Sequence, residues 1–171
     1  AIIATGSLGD HGFAVLAARH DLALSGELRS DVAPLNGPVA AALEAGGDAV
    51  VAMKDPTRGG VAGALQEMAD KSQVGIYLDE SALPVRPEVR AASELLGIDV
   101  LHVANEGKAL LGVRPEEAKR VIEALHTHPL GRDARCIGYC TEDTPGRVVL
   151  DTGFGRRLVR ESDGELLPRI C

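Results

Sequence analysis

The 171 residues predict an α+β domain, a mixed β-sheet with helices packed on it. Three observations lead there. Stretches with helical spacing of apolar residues are separated by short apolar runs of strand length. The last three of these runs cluster at the end of the chain, and helices mixed with clustered strands indicate α+β. Length and a 45% hydrophobic content suit one core of common size, and with 2% aromatic residues that core is built from Ala, Val, Leu and Ile.

Ala1–Thr5 is apolar and short enough for a strand. Gly6-Ser7-Leu8-Gly9-Asp10-His11-Gly12 follows as a glycine-rich turn. Phe13, Leu16, Ala17 and His20 then recur at helical spacing, with Asp10 placed to cap the helix. Pro34 and Pro38 punctuate the next stretch. Pro38 suits the first turn of a helix carrying Val39, Ala42 and Leu43, which Gly46-Gly47 ends. Asp48–Lys54 is a short apolar run that stops at Asp55-Pro56-Thr57-Arg58-Gly59-Gly60. Beyond it Val61, Ala64, Leu65 and Met68 share one helical face, opposite Gln66, Glu67, Asp70 and Lys71.

Val74–Asp79 alternates like a strand. A helix from Pro87 carries Val89, Ala92 and Leu96 and stops at Gly97. Lys108–Val113 reads as a buried strand. The helix from Pro115 puts Ala118, Val121, Ile122 and Leu125 on one face and Glu116 and Glu117 at its positive end. Arg135–Cys140, Arg147–Asp151 and Arg156–Arg160 are the closing strands. Ser162–Cys171 loses periodicity; extended, it reaches ~33 Å at ~3.3 Å per residue.

A net charge of −7 without any Lys/Arg-rich run argues against nucleic acid or an anionic membrane as partner. No apolar run approaches the ~20 residues of a membrane span, and no signal peptide opens the chain. A soluble, cytoplasmic protein is expected. The apolar start at Ala1, without Met, reads as the interior of a longer protein.

The turn at 55–60 is the first site candidate. Two glycines opening a helix offer backbone N–H groups to an anion, and Arg58 adds a fork of donors. The same turn equally suits a packing role, and it lacks the Gly-Lys-Ser/Thr of a Walker loop. Ala104-Asn105-Glu106-Gly107-Lys108 sets an amide, a carboxylate and an ammonium between two apolar runs, which suits a general base at Glu106 or an ordinary polar turn. Cys136 and Cys140 lie ~13 Å apart in a strand, too far for one metal ion, and are expected to be buried structural thiols. His126 and His128 end a helix, where the dipole favours them, and His11 and His102 read as polar or structural; no metal site is expected. Cys171 is a reactive thiol on a tail, its thiolate disfavoured by the α-carboxylate and partly restored by Arg169.

Asp55–Gly60 with its Ala-rich helix resembles the active-site turn of the aminoimidazole ribonucleotide synthetase (PurM) superfamily. That group also includes selenophosphate synthetase, thiamine-monophosphate kinase and formylglycinamidine synthetase. Within it the chain resembles the hydrogenase expression/formation protein E (HypE) family, the carbamoyl dehydratases. The matching stretches are Ser7–Gly12, Ser30-Asp31, Asp55–Gly60, Ala104–Lys108, His126–Gly131 and Leu167-Pro168-Arg169-Ile170-Cys171.

The resemblance implies a PurM C-terminal-domain-like fold over 1–161, with 1–12 the end of an interdomain connection and 162–171 a mobile tail. The N-terminal half, absent from this sequence, would carry most of the ATP and Mg site and the homodimer surface, so this piece alone should be inactive. In such a family the carbamoyltransferase HypF loads a carbamoyl group onto the terminal sulfur. ATP-dependent dehydration makes a thiocyanate, and the cyanide goes to the iron of nickel–iron hydrogenase through the HypC–HypD iron-carrier complex. Carried over residue by residue, Cys171 bears the group and Glu106 is the base. Asp55, Thr57, Arg58, Gly59 and Gly60 bind phosphate, while Asn105, Lys108 and His11 support. Another ATP-dependent synthetase of the superfamily would leave Cys171 unmodified. A non-catalytic docking module would use the thiol only as an anchor.

Overall fold

A computed structural model describes residues 1–20 and 28–160. In chain order the elements are β1 (Ile2–Ala4), α1 (Asp10–Arg19), α2 (Asn36–Gly46), β2 (Val50–Lys54), α3 (Gly60–Ser72) and β3 (Gly75–Asp79). They continue as α4 (Pro87–Leu96), β4 (Leu110–Val113), α5 (Ala118–His126), β5 (Arg135–Thr141), β6 (Val148–Asp151) and β7 (Arg156–Val159). The strands form one seven-stranded sheet in the order β2-β4-β1-β5-β3-β6-β7. Only β3 and β6 pair in parallel, so the sheet is mixed, as expected.

Both faces of the sheet are packed where β1 and β4 run. On one, Ile2, Ala4, Leu110, Ile137, Ile76, Leu78, Val148 and Leu150 meet Val61, Ala64 and Leu65 of α3. On the other, Ile3, Leu111 and Val113 meet Ala42 of α2 and Val121 and Leu125 of α5. This two-sided cover is why Ile2, Ile3, Leu110 and Leu111 form uninterrupted apolar runs. A third cluster joins Phe13 and Leu16 of α1 to Val89 and Ala92 of α4.

Several local expectations shift. Asp10 does not cap α1: Gly9 is the N-cap, at φ +86°, and Asp10 lies inside the first turn, bonded to Ser7. A left-handed cap residue favours glycine, which the Gly9 position supplies. Leu43 shares α2 with Ala42 but stays 46% exposed, because only one side of this short helix meets α5 and the sheet. The helix expected from Pro115 opens as a 3₁₀ turn over Pro115–Glu117 before α5 begins.

Cys136 and Cys140 are exposed, not buried. Cys136, which pairs with Ile3, sits one residue from the start of its strand, and Cys140 one residue from its end. Burial nevertheless pushes the Cys140 thiol above its usual value, which lowers its thiolate fraction near neutral pH.

Candidate active site

The sheet brings three loops together: 5–9 after β1, 55–59 after β2, and 104–109 before β4. Asn105, 0% exposed, joins all three. Its Oδ1 accepts the Gly9 N–H at 2.8 Å, and its Nδ2 donates to the Val103 carbonyl at 3.1 Å and the Pro56 carbonyl at 3.4 Å. Its own backbone N–H donates to Pro56 at 3.1 Å, and next to it the Ala104 carbonyl accepts from Gly12 at 3.0 Å. A primary amide with donors and an acceptor is the side chain that can satisfy such a set, and burial makes each bond count.

The turn after β2 ends in Gly59 at φ +74° and Gly60 at φ +63°, which open α3. A Cβ on Gly60 would come within 2.6 Å of the Leu101 and Val103 carbonyls, so this helix start touches backbone that any side chain would push away. The Gly60 N–H is engaged by the Thr57 carbonyl at 3.1 Å. Asp55 and Arg58 are exposed and Thr57 is half-buried. A Cβ at Gly59 would sit 3.4 Å from Gly63, an ordinary contact, so Gly59→Ala is expected to cost only the left-handed penalty, about 1–2 kcal/mol. A urea denaturation curve measures it.

The turn is bracketed by an ion pair, Lys54 at the end of β2 with Glu67 of α3 at 2.7 Å; Lys71 pairs with the same carboxylate. Lys54 first and Lys71 second pull the Glu67 carboxyl from 4.5 down to about 2. The stabilisation from this depressed group is complete above its unfolded value and is lost as pH falls through about 2. An NMR titration should place the Glu67 midpoint near 2 and find it rising in high salt, since the group is solvent-exposed.

Glu106 is exposed between neighbours that are not: Asn105, Gly107 and Lys108 are all buried. Its backbone N–H donates to Asp31 Oδ1 at 3.3 Å. Lys108, 7% exposed, reaches under the first loop to Asp31 Oδ2 at 3.2 Å. The Asp31 oxygen makes no conventional hydrogen bond, but the ammonium neutralises it directly.

On the first loop the Ser7 hydroxyl donates to Asp10 Oδ2 at 2.5 Å, and Arg86 lies 3.6 Å from Oδ1. Burial raises the Asp10 carboxyl above its ordinary value, against the Ser7 bond and the Arg86 charge, which lower it. His11 is 7% exposed, with Nδ1 2.8 Å from Ser30 Oγ and Nε2 buried without a partner.

The structure therefore ties Asn105 to the 55–60 turn through Pro56 and buries Lys108 against Asp31, with Glu106 and Arg58 exposed. Cys171 lies outside the described residues. Three other histidines hold backbone: His126 donates to Ala134 at 2.7 Å, His128 accepts from Leu130 at 3.1 Å, and His102 donates to Arg160 at 2.8 Å. Among the described residues no group of three His, Cys, Asp or Glu side chains is placed to hold a metal ion. Residue-by-residue chemistry missed Asp31, Ser7 and Asp10. Ser30-Asp31 stood out only as a stretch shared with a family; nothing local marks an aspartate in a stretch without helix or strand as a partner for a lysine 77 positions on.

The model of the AIR synthase related protein C-terminal domain matches residues 1–151. The chain is 49% identical to carbamoyl dehydratase HypE of Rhizobium leguminosarum bv. viciae, over 100% of this chain and 49% of that protein. It is 44% identical to carbamoyl dehydratase HypE of Escherichia coli strain K12, over 99% of this chain and 50% of that protein. Among solved structures, HypE in complex with ATP superposes with a TM-score of 0.93 at 38% identity, covering 100% of this chain and 52% of that one. The HypE–HypF complex gives 0.90 at 40% identity, covering 94% and 52%. Thiamine monophosphate kinase of Aquifex aeolicus, at 18% identity and a TM-score of 0.61, shares the fold. The chain spans about half the length of the curated relatives it matches.

Proposed function

The chain belongs to the AIR synthase related proteins as their C-terminal domain, and from its likeness to the carbamoyl dehydratases we propose that it is the catalytic-loop half of such an enzyme. The whole enzyme converts a carbamoyl group on the Cys171 sulfur into a thiocyanate, which supplies cyanide for the iron of nickel–iron hydrogenase.

One observation carries the reading: Glu106 is a solvent-facing carboxylate on a loop whose other polar members are buried and bonded. A base must be free at its carboxylate and fixed at its backbone, and this loop provides both. The carbamoyl thioester carries an NH2 group and a carbonyl oxygen. ATP supplies a phosphoryl group to that oxygen while one N–H proton passes to water, leaving S–C(=NH)–O–phosphate and ADP and turning a poor leaving group into phosphate. Glu106 takes the remaining N–H proton as the C–O bond breaks, and the C–N bond becomes the triple bond of S–C≡N. Gly59, with the exposed Arg58, suits the phosphoryl oxygens, and Gly60 leaves no room for a side chain. Magnesium would accompany the nucleotide.

The HypE–HypF complex supports a HypF-like carbamoyltransferase as the loading partner. A HypC–HypD-like iron carrier as acceptor, a homodimer through the other half of the enzyme, and a cytoplasmic location complete the proposal. Among the described residues no helix is long and apolar enough to cross a membrane.

Intact mass of the full-length protein, incubated with the carbamoyltransferase, carbamoyl phosphate and ATP, tests this. A gain of about 43 Da at Cys171 without ATP, falling to about 25 Da with it, is expected. No adduct at Cys171 would overturn the proposal and favour another synthetase of the superfamily.

A further inference from the structure

We propose that Asp31 is the positioning residue of the 106–108 loop, setting the direction of Glu106; the inference rests on Glu106 being the base. Asp31 lies in a stretch with neither helix nor strand, between α1 and α2. Its carboxylate divides between two members of the loop. Oδ1 takes the Glu106 N–H at 3.3 Å, and Oδ2 lies 3.2 Å from Lys108 Nζ. Between those two residues, Gly107 presses on the Asp31 backbone, where a Cβ would come within 1.8 Å of the Asp31 carbonyl oxygen. One residue thus holds three consecutive positions.

The arrangement is buried, with the Asp31 side chain 5% exposed, the Lys108 side chain 9% and Gly107 covered. A buried ammonium requires a counter-charge, and the Glu106 N–H requires an acceptor; a carboxylate meets both needs at once. Lys108 also cancels the charge of Asp31, so the grip adds no net repulsion toward a phosphoryl group. The approach of Lys108 explains Gly6, where a Cβ would meet its Cε at 2.8 Å and Cδ at 2.9 Å. Ser30 anchors the same stretch to α1, its Oγ 2.8 Å from His11 Nδ1 while also accepting the Val32 N–H at 3.3 Å. His11 therefore acts on the loop at second hand, through Ser30 and Asp31. What leaves this frame is the Glu106 side chain, the one exposed member of the loop from 105 to 108.

The test uses full-length protein already carbamoylated at its terminal cysteine. The conversion of the ~43 Da adduct to ~25 Da is followed after ATP is added. Asp31→Glu keeps the charge and the pairing with Lys108 but lengthens the arm by one methylene. It is expected to slow dehydration by roughly 10- to 100-fold, while the ATP concentration giving half-maximal rate changes by less than about twofold. The double variant Asp31→Ala with Lys108→Met removes both buried charges together and should be slowed at least as much. If it fails to fold, Asp31→Glu alone decides. A wild-type rate in Asp31→Glu, or a loss confined to ATP affinity, overturns the positioning role. Glu106→Gln is measured beside them. If Glu106→Gln is slow and Asp31→Glu is fast, this inference alone falls. If Glu106→Gln runs at full rate, the base assignment falls and this inference falls with it.

Discussion

Glu106→Gln in the full-length protein is expected to slow the conversion of carbamoyl adduct to thiocyanate by about 10²- to 10⁴-fold, the usual contribution of a positioned base. Loading of Cys171 should be unaffected, since that step draws on the partner's chemistry. The substitution is well suited to the question because the Glu106 side chain is exposed and its structural tie is through the backbone N–H, which glutamine keeps. Stability should therefore stay within about 0.5 kcal/mol of wild type. A quenched time course by intact mass, with a melting curve on the same sample, separates the two effects. An unchanged dehydration rate would remove Glu106 from the mechanism; a slow rate with a collapsed melting temperature would mean that the loop had been damaged instead.

Asn105→Ala is expected to produce the largest loss of stability, about 2–4 kcal/mol. For a domain of this size that lowers the melting temperature by roughly 5–15 °C. The side chain is fully buried and bonds to all three loops. Its removal leaves the Gly9 N–H without its acceptor and the Val103 carbonyl without its donor, in a place water does not reach. Pro56 is hurt less, because the Asn105 backbone N–H still reaches its carbonyl. Chemical denaturation measures the change, and a loss below about 1 kcal/mol would show that the loops hold each other without this amide. Activity should fall with stability, since Glu106 is the next residue along.

Local chemistry was enough to find most elements. The spacing of Val61, Ala64, Leu65 and Met68 identifies α3, and Gly97 marks the end of α4 as its left-handed cap, at φ +66°. These features depend on residues within one or two turns of each other, so periodicity reports them directly. Glu106, Asn105 and Lys108 were likewise visible as a polar island between apolar runs, though their individual roles were not. Asn105 looked like an accessory and is the hub.

Exposure was harder to read. Cys136 and Cys140 sit in an apolar strand and suggested burial, yet a strand is covered only as far as the next layer extends. Leu43 fails as a core residue because its surroundings come from distant parts of the chain, whereas Asp10 fails as a cap for a local reason, the left-handed Gly9 beside it.

From its own residue pattern, then, this chain specified an α+β domain of Ala, Val, Leu and Ile with a glycine-opened helix after a short strand. Strand order, the grip of Asp31 on Lys108 and the union of Gly9, Pro56 and Asn105 came from folding alone. Those partners lie 77, 96 and 49 positions apart. No local propensity spans such gaps; only the closing of the sheet brings β1, β2 and β4 side by side and sets their loops in contact.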